Sequence, residues 1–192
     1  MKEIVILAGP NGAGKTTTAR KLLPKFPGIQ EFLNADEFAR AISPGDPESA
    51  AFAAGRRMLE HMRELVARNL SFGVETTLSG KSYLRFLKRC KQAGWRITLL
   101  YLWLPSPEAA IKRVARRVRE GGHGVEPAVT RRRYYAGLSN FLRLYLPLAD
   151  ELEVYDNSVS HTRIAKRSEG GVLIVFDPRR WSKLKRASRC DR

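Results

Sequence analysis

Short apolar runs alternate along the chain with segments of helical periodicity. The runs that predict buried strands are residues 4–8, 30–34, 71–78, 96–104, 152–155 and 172–176. Apolar positions at helical spacing and start or stop residues predict helices at 16–23, 37–42, 47–69, 82–93, 107–119 and 127–146. Such alternation is typical of an α/β domain with a mainly parallel sheet that is covered by helices on both faces.

Proline, glycine and charge mark where these segments end. Pro24 ends the first helix, Pro105 ends the strand at 96–104, and Ser106 is a suitable N-cap for the helix at 107–119. The last part of the chain is basic and weakly patterned. We therefore predict a main domain at 1–178 and a basic tail at 179–192, which either aids solubility or packs as a short amphipathic helix.

A phosphate-binding loop follows the first strand directly. Residues 9–16 match G-x-x-x-x-G-K-[ST], in which glycines let backbone N–H groups turn toward phosphate oxygens. Lys15 can reach the outer phosphates, and the Thr16 hydroxyl can ligate Mg²⁺. The sequence thus predicts a site for ATP with Mg²⁺ formed by Gly9, Pro10, Asn11, Gly12, Ala13, Gly14, Lys15, Thr16 and Thr17.

Two carboxylates follow or end predicted strands and are expected at the same sheet edge as this loop. Asp36 is interpreted either as a base that accepts the proton of an attacking hydroxyl or as the N-cap of the helix at 37–42. Glu75 is interpreted as a partner of a metal-bound water or a substrate hydroxyl, or as a cap for backbone groups of 79–82. Residues 156–158 either line a nucleotide base pocket or form an ordinary turn.

Arginines flank a glycine-rich break and predict a helical lid that closes over phosphate. We expect one or two of the seven to contact phosphate and the others to face solvent. They are Arg113, Arg116, Arg117, Arg119, Arg131, Arg132 and Arg133. His123, within the break, is interpreted as a loop residue, and His61 and His161 show no metal-ligand spacing.

Composition narrows the setting. Cys90 and Cys190 form no disulfide framework, the N-terminal residues show no secretory leader, and the apolar run at 99–104 is too short to span a bilayer. These features predict a reduced, cytoplasmic protein with no membrane partner. The net charge of +16 attracts anionic partners and permits nucleic-acid binding, without choosing between them.

Taken in order, the motifs resemble the zeta toxin-like group of P-loop kinases, the set often labelled "predicted ABC-type ATPase". The resemblance extends to about residue 177 and rests on the loop at 9–17, Asn-Ala-Asp-Glu-Phe at 34–38, Val-Glu-Thr-Thr-Leu-Ser at 74–79, the arginine-flanked break, and Tyr-Asp-Asn-Ser at 155–158. It implies a P-loop NTPase three-layer sandwich and an ATP- and Mg²⁺-dependent kinase. The implied acceptor is a hydroxyl of a sugar nucleotide such as UDP-N-acetylglucosamine.

The resemblance also implies a role for each matching residue. Lys15 would bind the β- and γ-phosphates, Asp36 would be the base, and Glu75 and Thr77 would bind the sugar nucleotide. Arg117 and Arg132 represent the two lid groups that would stabilise the transferred phosphoryl group. The chain starts at the first strand, without the N-terminal extension against which an antitoxin would pack, so an antitoxin partner is left open.

Two other functions fit parts of the sequence. A transport-type ATPase would need an apolar strand ending in Asp-Glu, whereas the run at 99–104 ends at Pro105, and Leu78-Ser79-Gly80 is only a fragment of the signature. A nucleic-acid-binding ATPase or polynucleotide 5′-kinase agrees with the charge and the basic tail but is not favoured.

Overall fold

The computed structural model describes residues 1–22, 24, 26–46 and 49–188. Cys190 and the end of the predicted tail lie outside these residues. The strands are β1 (Glu3–Ala8), β2 (Glu31–Asn34), β3 (Phe72–Thr76), β4 (Arg96–Trp103), β5 (Glu151–Asp156), β6 (Thr162–Arg167) and β7 (Ile174–Val175). The helices are α1 (Lys15–Leu22), α2 (Ala35–Ile42), α3 (Ala51–Ala67), α4 (Ser82–Gln92), α5 (Pro107–Arg119), α6 (Pro127–Asn140) and α7 (Pro178–Ala187).

The seven strands form one sheet in the order β2-β3-β1-β4-β5-β6-β7. The first five are parallel, and β6 and β7 pair antiparallel at one edge. Because parallel crossovers are right-handed, the step from β1 back to β2 places α1 on one face, and the steps to β3 and β4 place α3 and α4 on the other. The α/β P-loop NTPase fold that the sequence predicts is confirmed.

The sheet interior explains why the central strands are apolar throughout. All but the first residue of β4 are buried, since β4 lies between β1 and β5 and has both faces covered. Tyr101 on β4 stacks on Phe141 with ring centroids 3.9 Å apart. No helix within the described residues is long and apolar enough to cross a membrane.

Several predicted elements need correction. The strand expected at 172–176 is reduced to Ile174–Val175, and β6 was not predicted because its mixed sequence, Thr-Arg-Ile-Ala-Lys-Arg, has no apolar run. The long helix expected at 127–146 ends as α6 at Asn140 and continues as a π-helical segment, Phe141–Tyr145. For the basic tail, the structure shows the amphipathic helix: α7 buries Trp181 and Leu184.

The end of α6 positions the loop that follows β3. Asn140 donates through Nδ2 to the Leu78 carbonyl at 2.7 Å, and Tyr145 Oη donates to the Gly80 carbonyl at 3.3 Å. A Cβ at Gly137 would lie 2.2 Å from the Thr77 carbonyl oxygen, so only glycine permits this close approach. The loop is thereby fixed although Leu78 has a φ of 56°, a conformation that side chains disfavour.

Candidate active site

The phosphate-binding loop connects β1 to α1 at the middle of the sheet. Gly12 and Gly14 have φ values of 75° and 82°, which glycine adopts without strain. Lys15 is only 7% exposed, and its ammonium donates to the Pro10 carbonyl at 3.1 Å. The lysine side chain therefore folds over its own loop, and its ammonium lies where a bound phosphate would contact it.

Side chains from two other elements brace this loop. Arg113 of α5 donates to the Gly12 carbonyl at 3.4 Å and to the Ser158 carbonyl at 2.7 Å. Asn157, just after β5, donates through Nδ2 to the Ala13 carbonyl at 2.7 Å. Ser158 N donates to Asp156 Oδ1 at 2.8 Å, so residues 156–158 form the predicted turn, and a base pocket there stays a prediction.

Glu75, at the end of β3, lies beside the loop. It is 9% exposed, and its Oε2 accepts from Thr16 Oγ1 at 2.9 Å and from Asn34 Nδ2 at 3.2 Å. Its Oε1 is 3.8 Å from the ammonium of Lys15. This carboxylate thus faces the lysine and the threonine of the loop, and the alternative that it caps residues 79–82 is not what the structure shows.

Asn34 is a site residue that the sequence reasoning missed. Its Oδ1 accepts from the backbone N–H of Asp36 at 2.9 Å while its Nδ2 binds Glu75. Asn34 is therefore the N-cap of α2, and the interpretation of Asp36 as the cap is wrong. Asp36 lies in the first turn of α2, and its carboxylate does not cap the helix. The sequence does carry a signal for this role, because Asn at the boundary between a strand and a helix is a preferred N-cap residue.

Burial and neighbouring charges act on Lys15 in opposite directions. Desolvation lowers the pKa of Lys15 below its ordinary value, while Glu75 and Asp36 raise it. Arg117 and Arg133 lower it further. Both carboxylates and Arg133 line the same cleft as the lysine.

A cleft of about 260 Å³ opens beside the loop, and we call it the acceptor cleft because the residues predicted to bind the acceptor line it. Its wall includes the three predicted acceptor residues, Asp36, Glu75 and Thr77, together with Asn11 and Lys15 of the loop. Small side chains of α2 and α3, with Tyr83 of α4, form another part of the wall. Two of the residues predicted to bind the donor and the three predicted to bind the acceptor thus line one cavity.

The seven arginines divide by contact. Arg133 lines the acceptor cleft, whereas Arg132 is exposed and does not. Arg117 is half-buried, and its Nε has no hydrogen-bond partner among the described residues. Arg116 pairs with Glu120 at 3.7 Å, Arg131 pairs with Glu108, and Arg119 is exposed. The structure therefore brings Arg133 to the cleft and Arg113 to the loop, whereas Arg117 does not line the cleft.

The three histidines have different surroundings. His123 belongs to the loop between α5 and α6, as expected, and it also lines the acceptor cleft. His61 bonds Glu31 and Glu64, and His161 stacks on Tyr155 with ring centroids 4.0 Å apart. Neither of the latter two lines the acceptor cleft.

The residues present fit a nucleoside triphosphate and Mg²⁺. The glycine loop, the buried Lys15 and the unpaired Arg117 Nε suit phosphate oxygens, and Asn11 Oδ1 is likewise buried without a partner among the described residues. The Thr16 hydroxyl and the Glu75 carboxylate are 2.9 Å apart, and oxygen donors of these types are what Mg²⁺ prefers.

Comparison with family models settles the family. The model for AAA_33, described as an AAA domain, matches residues 4–142. The chain belongs to the AAA_33 family. This AAA_33 chain is also 30% identical over 132 residues to an uncharacterized protein of Haemophilus influenzae. The aligned region covers 68% of this chain and 91% of that protein.

Solved structures share the fold of this AAA_33 chain at low sequence identity. The AvrRxo1-ORF1:-ORF2 complex with ATP superposes with a TM-score of 0.74 at 19% identity, over 96% of this chain and 63% of that chain. The PezAT chromosomal toxin-antitoxin system of Streptococcus pneumoniae gives 0.62 at 18% identity, over 84% and 70%. The Pnkp1/Rnl/Hen1 RNA repair complex gives 0.56 at 20% identity, over 70% and 43%. The chain thus spans less than two thirds of the AvrRxo1-ORF1 chain, and these likenesses show a P-loop kinase-like fold.

Proposed function

We propose that this chain is a zeta toxin-like kinase that uses ATP and Mg²⁺ to phosphorylate a hydroxyl of a sugar nucleotide such as UDP-N-acetylglucosamine. One observation carries the proposal. Glu75 joins the phosphate loop, through Thr16 and Lys15, to a cleft that also contains Asp36 and Thr77. Donor and acceptor can therefore meet in one cavity, as phosphoryl transfer requires.

On the acceptor side, Asp36 accepts the proton of the attacking hydroxyl. Asn34 satisfies the N-terminus of α2, so the Asp36 carboxylate remains available to substrate at the cleft. Thr77 and Glu75 orient the sugar nucleotide from the β3 side. Arg40, one helical turn after Asp36, also lines the cleft and supplies a cation for an acceptor phosphate.

On the donor side, Lys15, Arg117 and Arg133 neutralise the charge of the transferred group. Arg133 takes the part for which the sequence suggested Arg132, because Arg133 lines the cleft. Thr16 would hold Mg²⁺, with Glu75 beside it, and the ion would supply positive charge that offsets the charge of the phosphates. Because ATP is the donor, the proposal places the reaction in the cytoplasm.

The structural neighbours support a kinase of this group but leave the acceptor open. One of these neighbours belongs to the PezAT toxin-antitoxin system, and another, the AvrRxo1-ORF1:-ORF2 complex, was crystallised with ATP. An antitoxin is accordingly a candidate partner of this chain. The RNA repair complex keeps a polynucleotide 5′-kinase as the alternative acceptor chemistry.

The test is an acceptor screen. The protein is incubated with ATP, Mg²⁺ and a panel of UDP-sugars, nucleosides and 5′-hydroxyl RNA, and mass spectrometry detects phosphate gain. We expect transfer to a UDP-sugar. Asp36→Asn should lower the rate by at least about a hundredfold, since general-base catalysis contributes about that much or more.

The matched control is Glu37→Gln, on the neighbouring exposed carboxylate of α2, which does not line the cleft. It should retain the wild-type rate. Equal rates for Asp36→Asn and wild type would remove Asp36 as the base. Phosphate gain on RNA alone would replace the sugar nucleotide with the polynucleotide, and ATP hydrolysis without any modified acceptor would contradict kinase function.

A further inference from the structure

A second cavity, the α3–α4 groove, lies between helices α3 and α4. It encloses about 670 Å³ and is lined on one side by Leu59, Arg63 and Val66 of α3. The other side includes Arg85, Phe86 and Arg89 of α4. Leu59, Arg63 and Val66 are four and three residues apart, and Arg85 and Phe86 lie four and three residues before Arg89, so each set lies on one side of its helix and the groove follows the helix axes.

The floor of the groove is apolar. Leu59, Val66 and Phe86 pack against the hydrophobic core with one side and remain partly accessible from the groove. An accessible apolar strip of this kind gains free energy when another apolar surface covers it.

The rim of the groove is cationic and unpaired. Arg63, Arg85 and Arg89 are all exposed, and none of their side chains forms a hydrogen bond or ion pair with any residue in the described ranges. Arg85 and Arg89 are one turn apart on α4, where like charges repel. An anionic partner would reduce that repulsion. Arginines that were already paired with carboxylates would gain less from such a partner.

The dimensions suit a short helix. α4 has 11 residues, which at about 1.5 Å per residue gives a groove of roughly 16 Å, or three helical turns. An amphipathic helix covers an apolar floor with its apolar face and presents acidic flanks to a basic rim. A nucleic acid would satisfy the arginines but would leave the aliphatic and aromatic floor without a match.

We propose that the α3–α4 groove docks an acidic amphipathic helix of a partner polypeptide. The proposal does not depend on the kinase reaction. It does place the partner beside the acceptor cleft, because Ser82, the first residue of α4, lines both cavities.

The test uses a probe helix and two charge-matched variants. The probe is a fluorescein-labelled peptide of about 14 residues with leucines on one face and glutamates on both flanks; a scrambled peptide of the same composition is its control. Binding is measured by fluorescence anisotropy. In one variant Arg63, Arg85 and Arg89 become Glu; in the other Arg57, Arg68 and Lys88, exposed outside the groove on the same helices or at the C-cap of α3, become Glu.

We expect the groove variant to bind the probe at least about tenfold more weakly, and the control variant to change affinity less than about twofold. Both variants have the same net charge, so an equal loss would mean non-specific attraction to a basic protein and would overturn the proposal. Equal binding of the scrambled peptide would do the same.

Other occupants give distinct results. An oligonucleotide that binds wild type more tightly than the probe and loses affinity only in the groove variant would assign the rim to nucleic acid. A wild-type dimer in sedimentation that dissociates only in the groove variant would assign the groove to a second copy of this chain. Either result would overturn the proposal.

Discussion

At the scale of single residues, the site is organised around one buried carboxylate. Glu75 accepts from Thr16 and Asn34 and lies 3.8 Å from Lys15, so it has a hydroxyl, an amide and an ammonium around it. A buried charge is tolerated when it is paired in this way. Glu75 therefore couples the loop that would bind phosphate to the helix that carries Asp36.

The lid arginines give a prediction at this scale. Arg133→Ala should reduce the rate of phosphoryl transfer by at least about a hundredfold, because an arginine on the transferred phosphoryl group stabilises charge that develops in the transition state. Steady-state kinetics with the acceptor found in the screen measures the loss.

Arg132→Ala is the matched control, since Arg132 adjoins Arg133 in sequence but is exposed outside the cleft. Its rate should remain within about threefold of wild type. The opposite order of effects, with Arg132→Ala the slower variant, would return the catalytic role to Arg132.

At the scale of elements, contacts between helices and strands fix the site walls. The α6 end binds the carbonyls of the loop after β3, and His61 connects α3 to β2 through a 2.7 Å bond to Glu31. Asn34 is the last residue of β2 and Glu75 is the last but one of β3, and these two strands carry the acceptor side. The position of the cleft thus depends on how α3 and α6 pack on this edge of the sheet.

The His61 contact predicts a pH-dependent stability. The hydrogen bond to Glu31 raises the pKa of His61 above the ordinary value for histidine, with a smaller contribution from Glu64. A pKa that is higher in the folded state contributes stability fully below the unfolded value, and that stability is lost as the pH rises through the folded pKa. His61→Gln should lower the free energy of unfolding at about pH 6 by up to about 1 kcal/mol, the usual range for a partly exposed pair.

Urea unfolding at about pH 6 and about pH 8.5 measures this effect, which should shrink at the higher pH. Arg68→Gln, at an exposed position of the same chain segment, should show no such pH trend. A His61→Gln deficit that is the same at both pH values would show that the histidine acts through packing against Phe38, whose ring centroid is 6.2 Å away, rather than through its charge.

At the scale of the whole molecule, the candidate site residues lie at one edge of the seven-stranded sheet. The basic C-terminal segment packs on the same folded domain. α7 buries Trp181 and Leu184 while its lysines and arginines face solvent. Arg180 also donates to the buried Asp156 at 2.9 Å, at the end of β5. The C-terminal segment thus contributes buried side chains to the core as well as positive charge to the surface.

Leu184 gives the prediction for this scale. Its side chain is 0% exposed, so Leu184→Ala should lower the free energy of unfolding by about 2–5 kcal/mol through lost burial and the cavity left behind. Lys185→Ala, at the next and exposed position, should change it by less than about 0.5 kcal/mol. Equal, small effects in urea denaturation would show that α7 is not part of the cooperative core.

The sequence by itself determined the order of most strands and helices, the phosphate loop and the carboxylates that follow two strands. These features depend on local spacing: a glycine loop curls, an apolar run is buried, and parallel strands bring their carboxyl ends to one edge. Only the tertiary structure decided that Glu75 contacts Thr16, and that Arg133 rather than Arg132 lines the cleft. Each of these choices depends on which side chains distant in sequence approach one another, and adjacent residues such as Arg132 and Arg133 differ only in the direction that helix packing gives them.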